Sequence, residues 1–289
     1  MISKPRSDKQ MNNDESTTTV ITPEPNPFAE RAASEAAKPK KASALSLITR
    51  QRRRRPFFGV LYGPPGVGKS TFASEAPNPI FIPTERGLDQ ITVAKFPTPK
   101  DLNEFGTYLK AIEEEENDFQ TLVIDTADAL EGLIFDAVCK EGKVQSLEEY
   151  GGGFQKGYFR AREYWARLLA RLTRMSERRT VLLIGHSHLR TVADPMMATS
   201  YDVFELKIQQ KSVELIRQAV DLILFARMAT TVAKDSPRAK KGRGLISGDR
   251  EMYTQPTTGL ESKNRFDLES PMEFSFAALQ AGIDKFHDS

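Results

Sequence analysis

The segment FFGVLYGPPGVGKST, residues 57–71, constrains the fold of this 289-residue chain more than any other stretch. Phe57–Tyr62 is an apolar, strand-forming run. Behind it, Gly63-Pro64-Pro65-Gly66-Val67-Gly68-Lys69-Ser70 fits G-x-x-x-x-G-K-[ST] in full, and Ser70–Ala76 reads as a helix. Strand, glycine-rich turn and helix in that order form a phosphate-binding loop. Glycines reach backbone conformations closed to other residues, so successive N–H groups converge on phosphate oxygens. The helix N-terminus adds its positive end. Gly63, Pro64, Pro65, Gly66, Val67, Gly68, Lys69, Ser70 and Thr71 are the expected nucleotide-binding residues. Lys69 would reach the β/γ-phosphates and Ser70 would give its hydroxyl to Mg²⁺, which makes ATP and Mg²⁺ the expected cofactors.

Apolar runs and helical patterns alternate beyond this loop. Pro79–Pro83 (PIFIP), Thr121–Ile124 (TLVI), Thr180–Gly185 (TVLLIG) and Asp221–Phe225 (DLILF) read as strands. A helix is expected from the N-cap Asp101 to about Glu115, another over Tyr158–Met175, and a third over Gln209–Val220. Tyr201–Ile208 alternates as an edge strand does. Strands separated by helices imply βαβ units, hence an α/β fold with a mostly parallel central sheet flanked by helices. In the Tyr158–Met175 helix, Tyr158, Ala161, Trp165, Leu168, Leu172 and Met175 share one face. Arg160, Arg167, Arg171 and Arg174 share another, either a solvated face or a backbone-tracking stripe. Gly151-Gly152-Gly153 precedes the helix as a loop.

Other residues bear chemistry. Asp125 ends the run LVID, where a carboxylate beside the P-loop strand holds Mg²⁺ through water. Asp128, one turn further on, reads as a favourable charge at a helix N-terminus. Glu85 follows the strand PIFIP, at the carboxyl edge that faces the ligand crevice of an open parallel sheet. It is either a group that polarises the attacking water or an ordinary loop glutamate. His186 follows TVLLIG as a γ-phosphate sensor or a structural histidine, and His188 reads as structural; no third ligand for zinc is apparent beside them. Lys69, Glu85, Asp125 and His186 make up the expected catalytic set.

Charge is unevenly placed. Residues 1–55 hold 12 Lys/Arg against 6 Asp/Glu, and the remaining 234 hold 29 against 33, so nucleic-acid affinity would have to be local. Residues 1–48, rich in Ser, Thr, Pro, Asn and Lys, are expected to be a disordered basic tail, with one domain over 49–289. Arg52, Arg53, Arg54 and Arg55 then form a basic run, either a linker or a contact for DNA phosphates. The single cysteine, Cys139, excludes an internal disulfide and is expected to be buried. No apolar run approaches a bilayer span, and the N-terminus has no apolar core of a secretory signal, so the expected compartment is the cytoplasm.

The order of these features resembles the RecA-type recombinase core. It is similar above all to the phage-encoded RecA-like ATPases that include the Sak-type single-strand annealing proteins. The motifs are GPPGVGKST, then T-E-x-G-L-D, LVIDTADAL, IGHSHLRTVADP, YDVFELKI, LILFAR and Lys263-Asn264-Arg265. The resemblance implies a RecA-like P-loop NTPase fold, with Glu85 as catalytic glutamate and Asp125 as the Mg²⁺-linked aspartate. His186 stands in the place of the switch residue. It further implies DNA loops over Gly142–Gly153 and Leu189–Ser200, the latter holding Arg190, and trans-acting Lys263 and Arg265. Single-stranded DNA is the implied partner, bound by a homo-oligomeric ring or filament, alone or with a single-strand-binding protein. A bacterial host cytoplasm would be the compartment if the chain is phage-encoded. In place of the recombinases' helical N-terminal polymerisation domain, a disordered tail is expected. An accessory ATPase such as a helicase loader, or a P-loop small-molecule kinase with Arg238–Arg243 as its lid, would use the same loop.

Overall fold

The P-loop strand lies in the middle of the sheet. In the computed structural model, β1 (Phe58–Gly63) is buried along its whole length and pairs in parallel with β5 (Thr180–Val192) on one side and β7 (Leu222–Ala233) on the other. Beyond β5 follow β4 (Thr121–Asp125), β2 (Pro79–Pro83) and the short β3 (Ala94–Lys95), all parallel. Beyond β7, the antiparallel strands β8 (Arg243–Tyr253) and β10 (Met272–Glu273) close the other edge. Two strands branch from this path. β6 (Tyr201–Leu206) pairs antiparallel with the outer half of β5, and β9 (Lys263–Asn264) with the start of β7. The structure describes residues 45, 48–49, 52–193, 199–233 and 243–289.

Both faces of the central strands are covered, which explains their near-continuous apolar sequences. Alternate residues feed two cores. Val60, Leu122, Ile124 and Leu183 face α2 (Leu102–Glu114), α3 (Ala127–Gly142), α4 (Lys156–Met175) and α5 (Gln210–Ala219), around the buried Trp165. Leu61, Val123, Leu182 and Leu224 face α1 (Lys69–Ser74) and α6 (Phe276–Asp288). Asp101 caps α2 as expected, its Oδ1 accepting the N–H groups of Asn103 and Glu104 at 3.0 Å each. On α4 the buried stripe runs through Ala161, Trp165, Leu169, Leu172 and Met175. Of its arginines, Arg160, Arg167 and Arg171 pair with carboxylates, as a solvated face does. Cys139 is half-buried rather than buried.

Residues 52–289 form one compact unit. Of the unit before it, only Leu45, Ile48 and Thr49 are described, all exposed; the remainder of the expected tail lies outside the described residues. No described helix is long and apolar enough to cross a membrane.

Candidate nucleotide-binding site

The P-loop occupies the carboxyl end of β1, on the edge of the sheet where β2 and β4 also end while β5 and β7 run on. Val67 anchors it in the core, while Pro65 and Gly66 are exposed. Gly66 (φ 77°) and Gly68 (φ 96°) adopt left-handed backbone conformations that turn successive N–H groups inward. Thr71 is exposed on the first turn of α1. Lys69 is buried, and its Nζ donates to the carbonyl oxygens of Gly63 and Pro64, at 3.0 Å each. Burial pushes its ammonium below the usual lysine range, while Asp125, Asp128 and Glu85 pull it back.

Asp125 closes β4, with only β5 between its strand and the P-loop strand. Ser70 Oγ donates to Asp125 Oδ2 at 2.6 Å. Burial raises the Asp125 carboxyl above its ordinary range, opposed by that hydrogen bond and by Lys69. Thr84, at the end of β2, donates through Oγ1 to the Thr126 carbonyl at 2.7 Å and accepts the Thr126 N–H at 2.5 Å. These reciprocal bonds fasten the ends of β2 and β4 together and so fix the residue that follows Thr84, which is Glu85.

Glu85 faces His186. Glu85 Oε1 lies 4.0 Å from His186 Nε2, and His186 stands in register with Gly63 across the β1–β5 pair. The opposite ring nitrogen, Nδ1, lies 2.9 Å from Asp128 Oδ2, and the His186 N–H donates to Asp128 Oδ1 at 3.1 Å. Burial raises the Glu85 carboxyl, with His186 lowering it and Asp128 and Asp125 raising it further. At Asp128 burial also opposes ionisation, but the hydrogen bonds from His186 outweigh it and hold that carboxyl below the usual range. Asp128 is the residue that the sequence reading undervalued. It does stand in the first turn of α3, yet it faces His186, a partner 58 positions away that no local spacing reveals.

The family model for the AAA domain matches residues 55–266. The chain belongs to this AAA-domain family. No curated protein matches it at a significant level. This is therefore an AAA-type, P-loop ATPase domain, and the strand–loop–helix of residues 58–74 lies within the matched span.

Other expected site residues stand apart from this AAA site. Arg190 pairs with the fully buried carboxylate of Glu205 across the β5–β6 hairpin. Lys263 begins β9 and Arg265 follows it; β9 pairs with the first residues of β7, at the edge of the sheet opposite the P-loop. Lys263 Nζ donates to the Arg217 carbonyl at 2.6 Å, and Arg265 Nη1 to Asp221 Oδ1 at 3.1 Å. The arginine run also lies before β1 at that edge. Arg55 reaches the same Asp221 oxygen at 2.9 Å, Arg54 pairs with Asp284 and Asp288, and Arg53 pairs with Glu177. Arg52 donates to the Phe286 carbonyl and lies over the Phe286 ring. These arginines thus tie the strand entry to α6 and the end of α4. The expected loop over Leu189–Ser200 is in part strand: β5 continues to Val192 and pairs with β6, because Leu189–Val192 and Tyr201–Phe204 complete each other's ladders. Residues 194–198 lie outside the described residues.

Proposed function

We propose that this chain is a Mg²⁺-dependent ATPase of the recombination type, which couples hydrolysis to single-stranded DNA and acts as a homo-oligomer, ring or filament. The observation that supports the ATPase reading best is the Ser70–Asp125 hydrogen bond beside the buried Lys69. A hydroxyl and a carboxylate oxygen converging at the P-loop are the hard oxygen donors that Mg²⁺ takes in such sites. Ser70 and Asp125 would hold the ion, which when bound offsets charge on the β- and γ-phosphate oxygens. The loop N–H groups and Lys69 bind the triphosphate. Water attacks the γ-phosphorus, its proton passes to Glu85, and the β–γ bridging oxygen leaves with ADP. Asp128 orients His186, and His186 in turn holds the Glu85 carboxylate toward the reacting water.

The DNA reading rests on the motif order shared with RecA-type cores and on one continuity. β5 bears His186 beside the P-loop and runs without a break to Val192 in the β5–β6 hairpin. A change at His186 would therefore be carried along a hydrogen-bonded strand to that hairpin. Phage origin, Sak-type annealing, a cytoplasmic setting and a single-strand-binding partner belong to the same proposal. The candidate lid of the kinase alternative, Arg238–Arg243, lies outside the residues whose side chains are described.

The test is ATP hydrolysis by the full chain with and without single-stranded DNA, alongside ATP-dependent binding of a labelled oligonucleotide. Stimulation together with binding supports the reading. Hydrolysis that neither responds to DNA nor accompanies binding would leave an ATPase and remove its recombination role.

A further inference from the structure

We infer that Arg250 is a nucleotide-binding residue acting in cis, its guanidinium holding the α- and β-phosphates of the nucleotide on the P-loop. The inference rests on the reading that this loop binds ATP. Arg250 belongs to β8 and stands in register with Met228 of β7, as Met252 does with Ala226. Side chains two apart on a strand share a face, so Arg250 lies on the face of Met252. Met252 is fully buried in the core that also holds Val67 and Phe72, on either side of Lys69. Because β8 runs antiparallel to β7, Arg250 stands beyond Met252 toward the edge where β1 becomes the P-loop. There the Ala226 carbonyl sits so close to Gly63 that a methyl group on that glycine would collide with it.

The side chain completes the approach. A methyl group on Gly68 would lie 3.1 Å from Arg250 Nη1 and 3.3 Å from its Cζ, so the guanidinium rests against the loop itself. The ladder on this hairpin is irregular between Met228 and Thr230, and Gly248 is left-handed at φ 87°. Irregularities of this kind re-aim side chains beside binding sites.

The adjacent carboxylate on β8, Glu251, is paired with Arg227, with which it is in register. Arg250 is exposed and has no ion-pair partner among the described residues. A guanidinium with no ion-pair partner among the described residues, set against a loop built for phosphate, supplies charge-assisted hydrogen bonds to the anion that the loop takes. Sheet order decides which phosphates. Glu85, Asp125 and His186 come from β2, β4 and β5 on one side of β1, which is where the γ-phosphate must lie. Arg250 comes from the other side, past β7, and so meets the nucleoside half of the polyphosphate.

Calorimetric titration of ADP and of ATP, with steady-state kinetics of the full chain, tests this. Arg250→Ala is expected to weaken both nucleotides by a similar factor, about tenfold, the loss of roughly one charge-assisted hydrogen bond. It should leave kcat within about twofold and the thermal midpoint unchanged, and Arg250→Lys should recover part of the affinity. Unchanged affinity for both nucleotides would overturn the assignment. So would a loss of kcat with ADP affinity intact, which would put the guanidinium at the γ-phosphate. If the unaltered protein binds neither nucleotide, and Lys69→Ala behaves like it, the P-loop reading fails first and takes this one with it.

Discussion

Both carboxylate oxygens of Asp128 are spent on one residue, Oδ2 on the His186 ring at 2.9 Å and Oδ1 on the His186 backbone N–H at 3.1 Å. A side chain held at ring and backbone together cannot swing, so the free nitrogen Nε2 stays turned to Glu85. Asp128 is in this sense a positioning residue, and its removal should be felt at Glu85.

Asp128→Asn keeps the size and one acceptor but loses the charge that supports the ring. We expect turnover to fall about tenfold, equivalent to an orientation loss near 1.4 kcal/mol, with ATP affinity within about twofold. Single-turnover kinetics beside equilibrium ATP binding separate the two quantities. A fall in affinity alone would assign Asp128 to binding.

Lys69→Ala and Glu85→Gln should part company. The first removes a phosphate contact and should weaken ATP binding strongly. The second leaves the phosphates their partners and should cut turnover by about 10²–10⁴-fold, as loss of a general base does. Turnover at the parental rate in Glu85→Gln would sink the assignment of Glu85 as the base.

The Glu85 carboxyl lies above the usual glutamate range because of its burial, and His186 restrains that rise against Asp125 and Asp128. Glu85 must be ionised to take the water proton, so the acid limb of the rate profile should stand above the ordinary carboxylate range. In His186→Gln the restraint is gone, so the carboxyl rises further and the limb moves to higher pH. A pH–kcat profile of both proteins measures this, and a limb that stays in place separates His186 from Glu85.

Asp221 should matter to stability and not to turnover. It is nearly fully buried, accepts the Phe58 N–H at 3.1 Å, and shares one oxygen between Arg55 and Arg265. Asp221→Ala leaves that N–H without its carboxylate acceptor and takes a charged partner from both guanidiniums, at a cost of about 1.5–3 kcal/mol. Arg265→Ala, removing a half-exposed partner, should cost about 0–1 kcal/mol and leave ATPase activity per subunit at the parental level. Urea midpoints and steady-state rates check both; a large rate loss in Arg265→Ala would instead support a trans-acting role for it.

The central sheet was legible because strands buried on both faces can hold little but apolar residues, and FGVLY, PIFIP, TLVI and TVLLIG read as little else. The P-loop was legible because its chemistry is local. What escaped was half-exposed or non-local. β8 (RGLISGDREMY) contributes a buried Met252, but two glycines and four charged residues interrupt its apolar residues, so no core strand is suggested. The outer half of β5, HSHLRTV, is polar because only its partner β6 gives it a ladder. Helix α6 does carry a local signal, the cap Ser275 followed by Phe276, Leu279 and Ile283 at helical spacing. Arg250 could not be found by spacing at all, since its approach to Gly68 depends on β8 standing one strand away from β1, across β7.

The buried strand β1 separates two sets of polar contacts. Ser70, Lys69 and the Glu85–His186–Asp128 chain stand past its carboxyl end, while Arg55, Asp221 and Arg265 meet at its start. Six residues of strand put about 20 Å between the two sets. Substitutions that far apart, sharing no partner, combine additively. Lineages carrying this domain could therefore retune thermal tolerance through the amino-edge cluster while the carboxyl-edge chemistry drifts on its own, each leaving the other's genetic background neutral.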